Sequence, residues 1–140
     1  MNDINFRRIE NSDVSSVINL LNQLSSFTPL IKHEDLWENF LKSNSIGIVG
    51  ELKQTSQIIA FGHIIYFEKF RSGLVGLIED VVVDLKFRKQ GVGRLLIAEL
   101  EKNARENQAY KLILNSSESN LGFYQNSGFS SQELSLKKFI

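Results

Sequence analysis

The chain contains no cysteine, which removes a disulfide framework, a thiolate metal site and a cysteine nucleophile together. Histidine is nearly as scarce: His33 and His63 are the only two, and without a spaced acid they make no metal site. An excess of one charge is also absent, because 16 Lys plus Arg balance 16 Asp plus Glu. The electrostatic footprint of a dedicated nucleic-acid binder is therefore missing. No apolar run approaches the ~18 residues of a membrane span, and Met1-Asn2-Asp3-Ile4-Asn5 lacks the charged start and apolar stretch of a leader. The expectation is a cytoplasmic protein with neither nucleic acid nor membrane as partner. What is present is ordinary globular composition, 42% hydrophobic and 23% charged over 140 residues. That suffices for one domain, 1–140, with its own core.

Proline is nearly absent as well, and its single occurrence, Pro29, marks a loop after Ser25-Ser26-Phe27-Thr28. Before that loop, Ile4 to Glu10 alternates like a short strand, and Asn11-Ser12-Asp13 offers cap oxygens to a helix from about Asp13 to Leu24. Its apolar face is Val14, Val17, Ile18, Leu21 and Leu24. His33 to Lys42, with Leu36, Trp37, Phe40 and Leu41, reads as a second amphipathic helix.

From Ser45 to Val83 β-branched and aromatic residues dominate, and the polar breaks at 53–56 and 71–73 divide the stretch into strands 46–52, 57–67 and 74–83. Short connections make these neighbours antiparallel. Val92, Leu95, Leu96, Leu100 and Ala104 mark a long helix ending near Asn107. Tyr110 to Leu114 is a strand, Ser119 to Asn126 a short helix stopped by Gly128, and alternating Gln132 to Phe139 a final strand. Only the last part has the β-α-β pattern that forces parallel strands, so an α/β fold is expected: a mixed, mostly antiparallel sheet flanked by helices.

The segment between the third of those strands and the long helix carries the chemistry. Lys86 to Arg94 has four basic side chains, two glycines and no acid. A buried strand, Val81-Val82-Val83, leads into a helix whose first turn has glycines at 91 and 93, so several amide hydrogens point outward with no side chain in the way. Such a turn cradles an anion, and Arg88, Lys89 and Arg94 surround it with cations. A diphosphate suits it. A Walker A loop does not fit, and the dinucleotide fingerprint fails because Leu96 stands where a third glycine is needed. The plainer alternative is that the glycines only ease the helix start.

These residues resemble the GCN5-related N-acetyltransferase (GNAT) superfamily, whose acetyl-CoA loop Arg/Gln-x-x-Gly-x-Gly/Ala matches Arg88-Lys89-Gln90-Gly91-Val92-Gly93. A second block, Asn120 to Phe129, is similar to the superfamily's Asn-x-x-x-Tyr-x-x-x-Gly-Phe. The resemblance implies a GNAT fold and acetyl-CoA as co-substrate, with no metal. It implies that Val81, Val82 and Val83 pair with the pantetheine arm and that Arg88, Lys89, Gln90, Gly91, Val92, Gly93 and Arg94 hold the pyrophosphate, with Asn120 and Tyr124 nearby. Glu79 to Val83, Tyr110 to Leu114 and Asn120 to Phe129 further resemble the glucosamine-6-phosphate N-acetyltransferases, which are intertwined homodimers of hexosamine synthesis. That likeness implies an amino sugar phosphate, glucosamine 6-phosphate, as acceptor. The implied contacts are Lys69, Arg71, Glu79, Asp80, Tyr110, Lys111, Asn115 and Lys137 or Lys138, partly from a partner subunit, with Ser25 or Ser26 at the first loop. One position departs from the pattern: Asn115 stands where these enzymes usually bear an acid.

An amide cannot take a proton, so Asn115 would orient the amine while water or Glu79 deprotonates it. Without cysteine the expected chemistry is direct attack on the thioester, with Tyr124 supplying a proton to the departing sulfur. The alternatives are a GNAT acting on another small amine or a peptide amine, and a non-catalytic acyl-CoA-binding module. Plainer readings also stand: Tyr124 as a packed surface tyrosine, His63, Phe123 and Phe129 as core, Glu79 and Asp80 as a solvated strand end, and Lys137 and Lys138 as protection of an edge strand. Strict alternation along the strand would let only one of Glu79 and Asp80 face a given pocket.

Overall fold

The computed structural model describes residues 3–140. Five strands, β1 (Ile4–Arg8), β2 (Ser45–Leu52), β3 (Ile58–Lys69), β4 (Gly73–Val83) and β5 (Lys111–Leu114), form one sheet in chain order. Neighbours from β1 to β4 run antiparallel and β5 runs parallel to β4. The helices are α1 (Val14–Asn22), α2 (His33–Lys42), α3 (Val92–Glu106) and α4 (Leu121–Asn126). Of the links between neighbours from β2 onward, only that from β4 to β5 is long enough for a crossover helix, which is why it alone joins parallel strands. The expected mixed, mostly antiparallel sheet flanked by helices is the fold observed.

Alternation along the central strands divides the core in two. On one face, Leu96, Ile97, Leu100 and Ala104 of α3 pack on Ile59, Ile64 and Ile78, all nearly or fully buried. On the other, Val17 and Leu20 of α1 cover Val49, Phe61 and Val82. β4 serves both faces, Val82 turning to α1 while Val81 and Val83 pack against the α3 cluster. The buried Tyr66 hydroxyl donates to Asn103 Oδ1 at 2.9 Å, so α3 is tied to β3 by a satisfied polar contact as well as by packing.

β1 stops at Arg8, two residues before the predicted end, because Glu10 caps a 3-10 turn (Asn11–Asp13) that leads into α1. Asp13 is nearly buried there, accepting hydrogen bonds from Arg7 Nη1 at 2.7 Å, Arg7 Nη2 at 3.0 Å and the Glu10 amide at 2.8 Å. Burial opposes the Asp13 charge, but these donors outweigh it and hold the carboxyl below its usual range.

The predicted final strand is absent from the described residues. Residues 132–139 pair with no strand, and Leu134, Leu136 and Phe139 are 93%, 93% and 89% exposed. Alternation gives a segment two faces, but a strand exists only where a neighbour takes its backbone hydrogen bonds.

Candidate active site

β4 and β5 pair over only four positions, from Val75–Lys111 to Ile78–Leu114. Beyond Ile78, β4 continues to Val83 with no strand among the described residues on that side, so one backbone edge of Glu79 to Val83 is left open. Asn115 is the first residue past the split on one side, as Glu79 is on the other. Asn115 is exposed and Glu79 half-buried. A 3-10 turn (Leu85–Phe87) and residues 88–90 lead from the open edge to the glycine turn.

That turn has the geometry of an anion cradle. Gly91 caps α3 at φ 86°, a left-handed conformation that a side chain disfavours, and no side chain caps the first amides of the helix. Lys89 is also left-handed, at φ 59°. The ideal Cβ of any residue replacing Gly93 would stand 3.1 Å from the Phe123 ring, so the helix start and α4 approach closely. Arg88 Nε donates to the Val83 carbonyl at 2.8 Å, while its Nη2 is buried with no partner among the described residues. An unpaired guanidinium nitrogen is costly unless an anion meets it. Lys89, Gln90 and Arg94 are exposed around the turn. The loop is braced from α1: the Gln23 amide donates to Asp84 Oδ2 at 3.1 Å and Gln23 Oε1 accepts from the Leu85 amide at 3.0 Å. The site therefore fits a diphosphate attached to an amide-bearing chain.

Tyr124 sits on α4, half-buried, with ring edges on Phe123 and Phe129 at centroid distances of 5.0 and 6.0 Å. Burial pushes its hydroxyl above the ordinary tyrosine range, so it stays a neutral donor at physiological pH. Asn120, at the start of α4, is exposed and its side chain makes no cap. Phe129 and Tyr124 pack against the α3 core, as the core reading of Phe129 expects, whereas Phe123 is 38% exposed.

The α1/α2 face holds a cavity of about 770 Å³ that sequence reasoning did not identify. Its walls include Leu36, Trp37, Phe40 and Phe61, with His63 and Asp80 among them. The sequence signal was only the amphipathic pattern of α2; in the fold none of its residues is fully buried, and its apolar face borders the hollow. Ser25 lines the cavity, as does Thr28. The carboxylate this cavity receives is that of Asp80; Glu79, the predicted proton acceptor, is not on its wall. Val82, two residues on, turns to the same α1 side, as alternation requires, so only one of the two neighbouring carboxylates lines this cavity. The β3–β4 register slips between Phe61 and His63, and Asp80 takes φ 58°. Glu79 stands opposite His63 in the register, yet Asp80 Oδ2 also comes within 3.9 Å of His63 Nδ1. A non-glycine residue held in this region costs about 1–3 kcal/mol, and such strain gathers at functional sites.

The predicted phosphate-binding cations are not gathered at this cavity. Lys111 pairs with Val75, which places it roughly 16 Å along β4 from Asp80 at a rise of about 3.3 Å per residue. Its ammonium lies 5.9 Å from the ring centre of Tyr110, itself 67% exposed. Lys69 and Arg71 are exposed at the β3–β4 hairpin, and Lys137 lies 5.8 Å from the Phe139 ring in the tail. No lysine or arginine appears among the described residues that line the cavity. Among the described residues there is likewise no group of three or more His, Asp or Glu placed to hold a metal, and no helix long and apolar enough to cross a membrane.

Comparison with known proteins bears on the family and the fold. The sequence pattern of the Acetyltransferase (GNAT) family matches residues 15–129. A glucosamine 6-phosphate N-acetyltransferase of Trypanosoma brucei brucei is 34% identical over 139 residues, covering 96% of this chain and 95% of its own. Glucosamine 6-phosphate N-acetyltransferase 1 of Oryza sativa subsp. japonica is 36% identical over 131 residues, covering 88% of this chain and 79% of its own. Among solved structures, an acetyltransferase of Trypanosoma brucei superposes with a TM-score of 0.90 at 34% identity, over 99% of this chain and 100% of that one.

Proposed function

The chain belongs to the acetyltransferase (GNAT) family and is an N-acetyltransferase; from that premise we propose that its donor is acetyl-CoA and its acceptor glucosamine 6-phosphate. The observation that carries the donor half is the open edge of β4, followed after one 3-10 turn by the Gly91 cradle and its unpaired Arg88 nitrogen. Relatives named for glucosamine 6-phosphate support the acceptor.

Acetyl-CoA supplies an acyl carbon already activated as a thioester. The protein's tasks are then to hold the two reactants in line and to stabilise charge as it moves. The amides at the start of α3, with Arg88, Lys89 and Arg94, hold the diphosphate. Val81 and Val83 offer backbone N–H and C=O groups to the amides of the pantetheine arm, as another strand would. Tyr124 keeps its proton in the resting enzyme and gives it to the leaving sulfur. Asn115 and the carboxylates of Glu79 and Asp80 orient the acceptor amine where the strands part. Lacking an acid at position 115, the site leaves the amine's proton to a carboxylate or to solvent.

The acceptor half lacks cations in one chain, and the tail exposes Leu134, Leu136 and Phe139 beside Lys137 and Lys138. A homodimer answers both facts: the tail of one copy lies against the other, covers its apolar side chains and brings basic residues to the sugar phosphate. The chain then works as one domain, 1–140, in the cytoplasm. The test is thiol release from acetyl-CoA with glucosamine 6-phosphate, glucosamine and simple amines. A gain of at least tenfold in kcat/KM from the phosphate supports the assignment; equal rates with and without it remove it. The apolar cavity favours a second reading, an acceptor with an apolar body, and faster turnover of such an amine would establish it.

A further inference from the structure

The glycine turn and the α4 block leave His63 without a role, yet its surroundings are unusual for a core histidine. Its ring lies on the cavity wall, flanked by Phe40 at a centroid distance of 5.5 Å and Phe61 at 6.3 Å. Nε2 is buried with no hydrogen-bond partner among the described residues, and Nδ1 faces Asp80 Oδ2 at 3.9 Å. A hydrogen on Nε2 would be a stranded donor, so the ring hydrogen is assigned to Nδ1, which faces the half-exposed Asp80 carboxylate. Asp80 itself is held at φ 58°, an arrangement kept only where the surroundings enforce it.

We propose that His63 is a positioning residue for the acceptor amine: its Nδ1–H aims the Asp80 carboxylate, and Asp80 receives the ammonium group. This rests on the acetyl-transfer reading and deepens it, because it names the carboxylate that takes over where Asn115 has no charge to offer. Phe40 and Phe61 flank the imidazole and keep it largely from water, while the Asp80 carboxylate stays half exposed and open to the acceptor. Beside the ring, the charged groups of the strand packed against it are Asp80 and, opposite in register, Glu79; β2 presents Gly47 and α2 presents Phe40.

The test is a double-mutant cycle of His63→Phe and Asp80→Asn, read as kcat and KM for the acceptor, with His63→Asn as the conservative variant. His63→Phe keeps the ring volume and removes the donor; His63→Asn restores a donor near the place of Nδ1. Expected are a tenfold or larger fall in acceptor kcat/KM for His63→Phe with KM for acetyl-CoA unchanged, recovery to within threefold of wild type in His63→Asn, and an effect below threefold when His63→Phe is made in Asp80→Asn. Equal effects in both backgrounds, or no recovery in His63→Asn, overturn the proposal. The cycle is run with whichever amine the wild-type enzyme acetylates fastest. Failure of glucosamine 6-phosphate as that amine refutes the acceptor assignment and leaves the role of His63 to be decided by the cycle.

Discussion

The two faces of β4 differ in how complete they are. On the α3 side a single chain supplies every feature the proposed donor site uses: a dense core of Leu96, Ile97 and Leu100, an open strand edge, and a glycine turn braced by Gln23 and Arg88. On the α1/α2 side there is a large apolar cavity with one carboxylate, and the candidate phosphate contacts lie scattered at the hairpin, at the start of β5 and in the tail. Binding a nucleotide-like donor needs backbone amides, which a fold fixes rigidly. Choosing an acceptor needs long charged side chains, which can come from elsewhere, including a second copy.

This contrast can be broken experimentally. The largest effect is expected at Tyr124, where Tyr124→Phe removes the only proposed proton donor while leaving both binding faces intact. Turnover should fall by roughly 100-fold with acetyl-CoA affinity unchanged, as steady-state rates and calorimetry would reveal. Unchanged turnover would reassign the proton to water.

Deleting residues 131–140 should act on the acceptor face alone. The expected result is a fall of roughly 30-fold in kcat/KM for a phosphorylated amino sugar, as for loss of a charge-assisted contact, with loss of any dimer in sedimentation. Acetyl-CoA binding should survive. Equal loss on both faces would mean that the tail supports the fold rather than the acceptor.

The reciprocal change is Gly91→Ala. At φ 86° an added Cβ costs about 1–2 kcal/mol in the bound and free states alike unless the turn rearranges to relieve it. A rearranged turn misplaces the amides, so acetyl-CoA affinity should weaken roughly tenfold while acceptor KM, at saturating donor, holds. Calorimetric titration separates the two.

Away from both faces, Asp13→Asn tests the brace at the start of α1. Loss of the ion pair should lower stability by roughly 1–3 kcal/mol in urea titrations at neutral pH, with donor affinity preserved. Because the folded protein holds the Asp13 carboxyl below its usual range, its contribution is full above the ordinary carboxylate pKa and is lost as pH falls through the lowered value. The acid limb of the stability curve should therefore flatten in the variant. An unchanged limb would show that other carboxylates control acid unfolding.

The same contrast explains what could be read from the sequence. The donor face was legible because its signals are local: Gly91 and Gly93 follow a β-branched strand, and the periodicity of Val92, Leu96 and Leu100 shows which face of α3 is buried. α2 was legible to its observed limits, His33 to Lys42, for the same reason. The acceptor face was not, because its key features depend on register. The slip between Phe61 and His63 and the left-handed turn at Asp80 leave no local mark in the sequence, and alternation alone does not say which of Glu79 and Asp80 meets the cavity until the side taken by Val82 is known. Likewise Leu134 and Leu136 alternate as a strand should, but alternation does not say whose sheet would accept them.

Hydrogen exchange of the backbone amides, with and without coenzyme A, tests the central claim most directly. Slowed exchange should be confined to the open edge at 81–83 and the cradle at 89–94, with the α1/α2 cavity unaffected. Protection centred on the cavity, or none at all at saturating coenzyme A, would contradict the account.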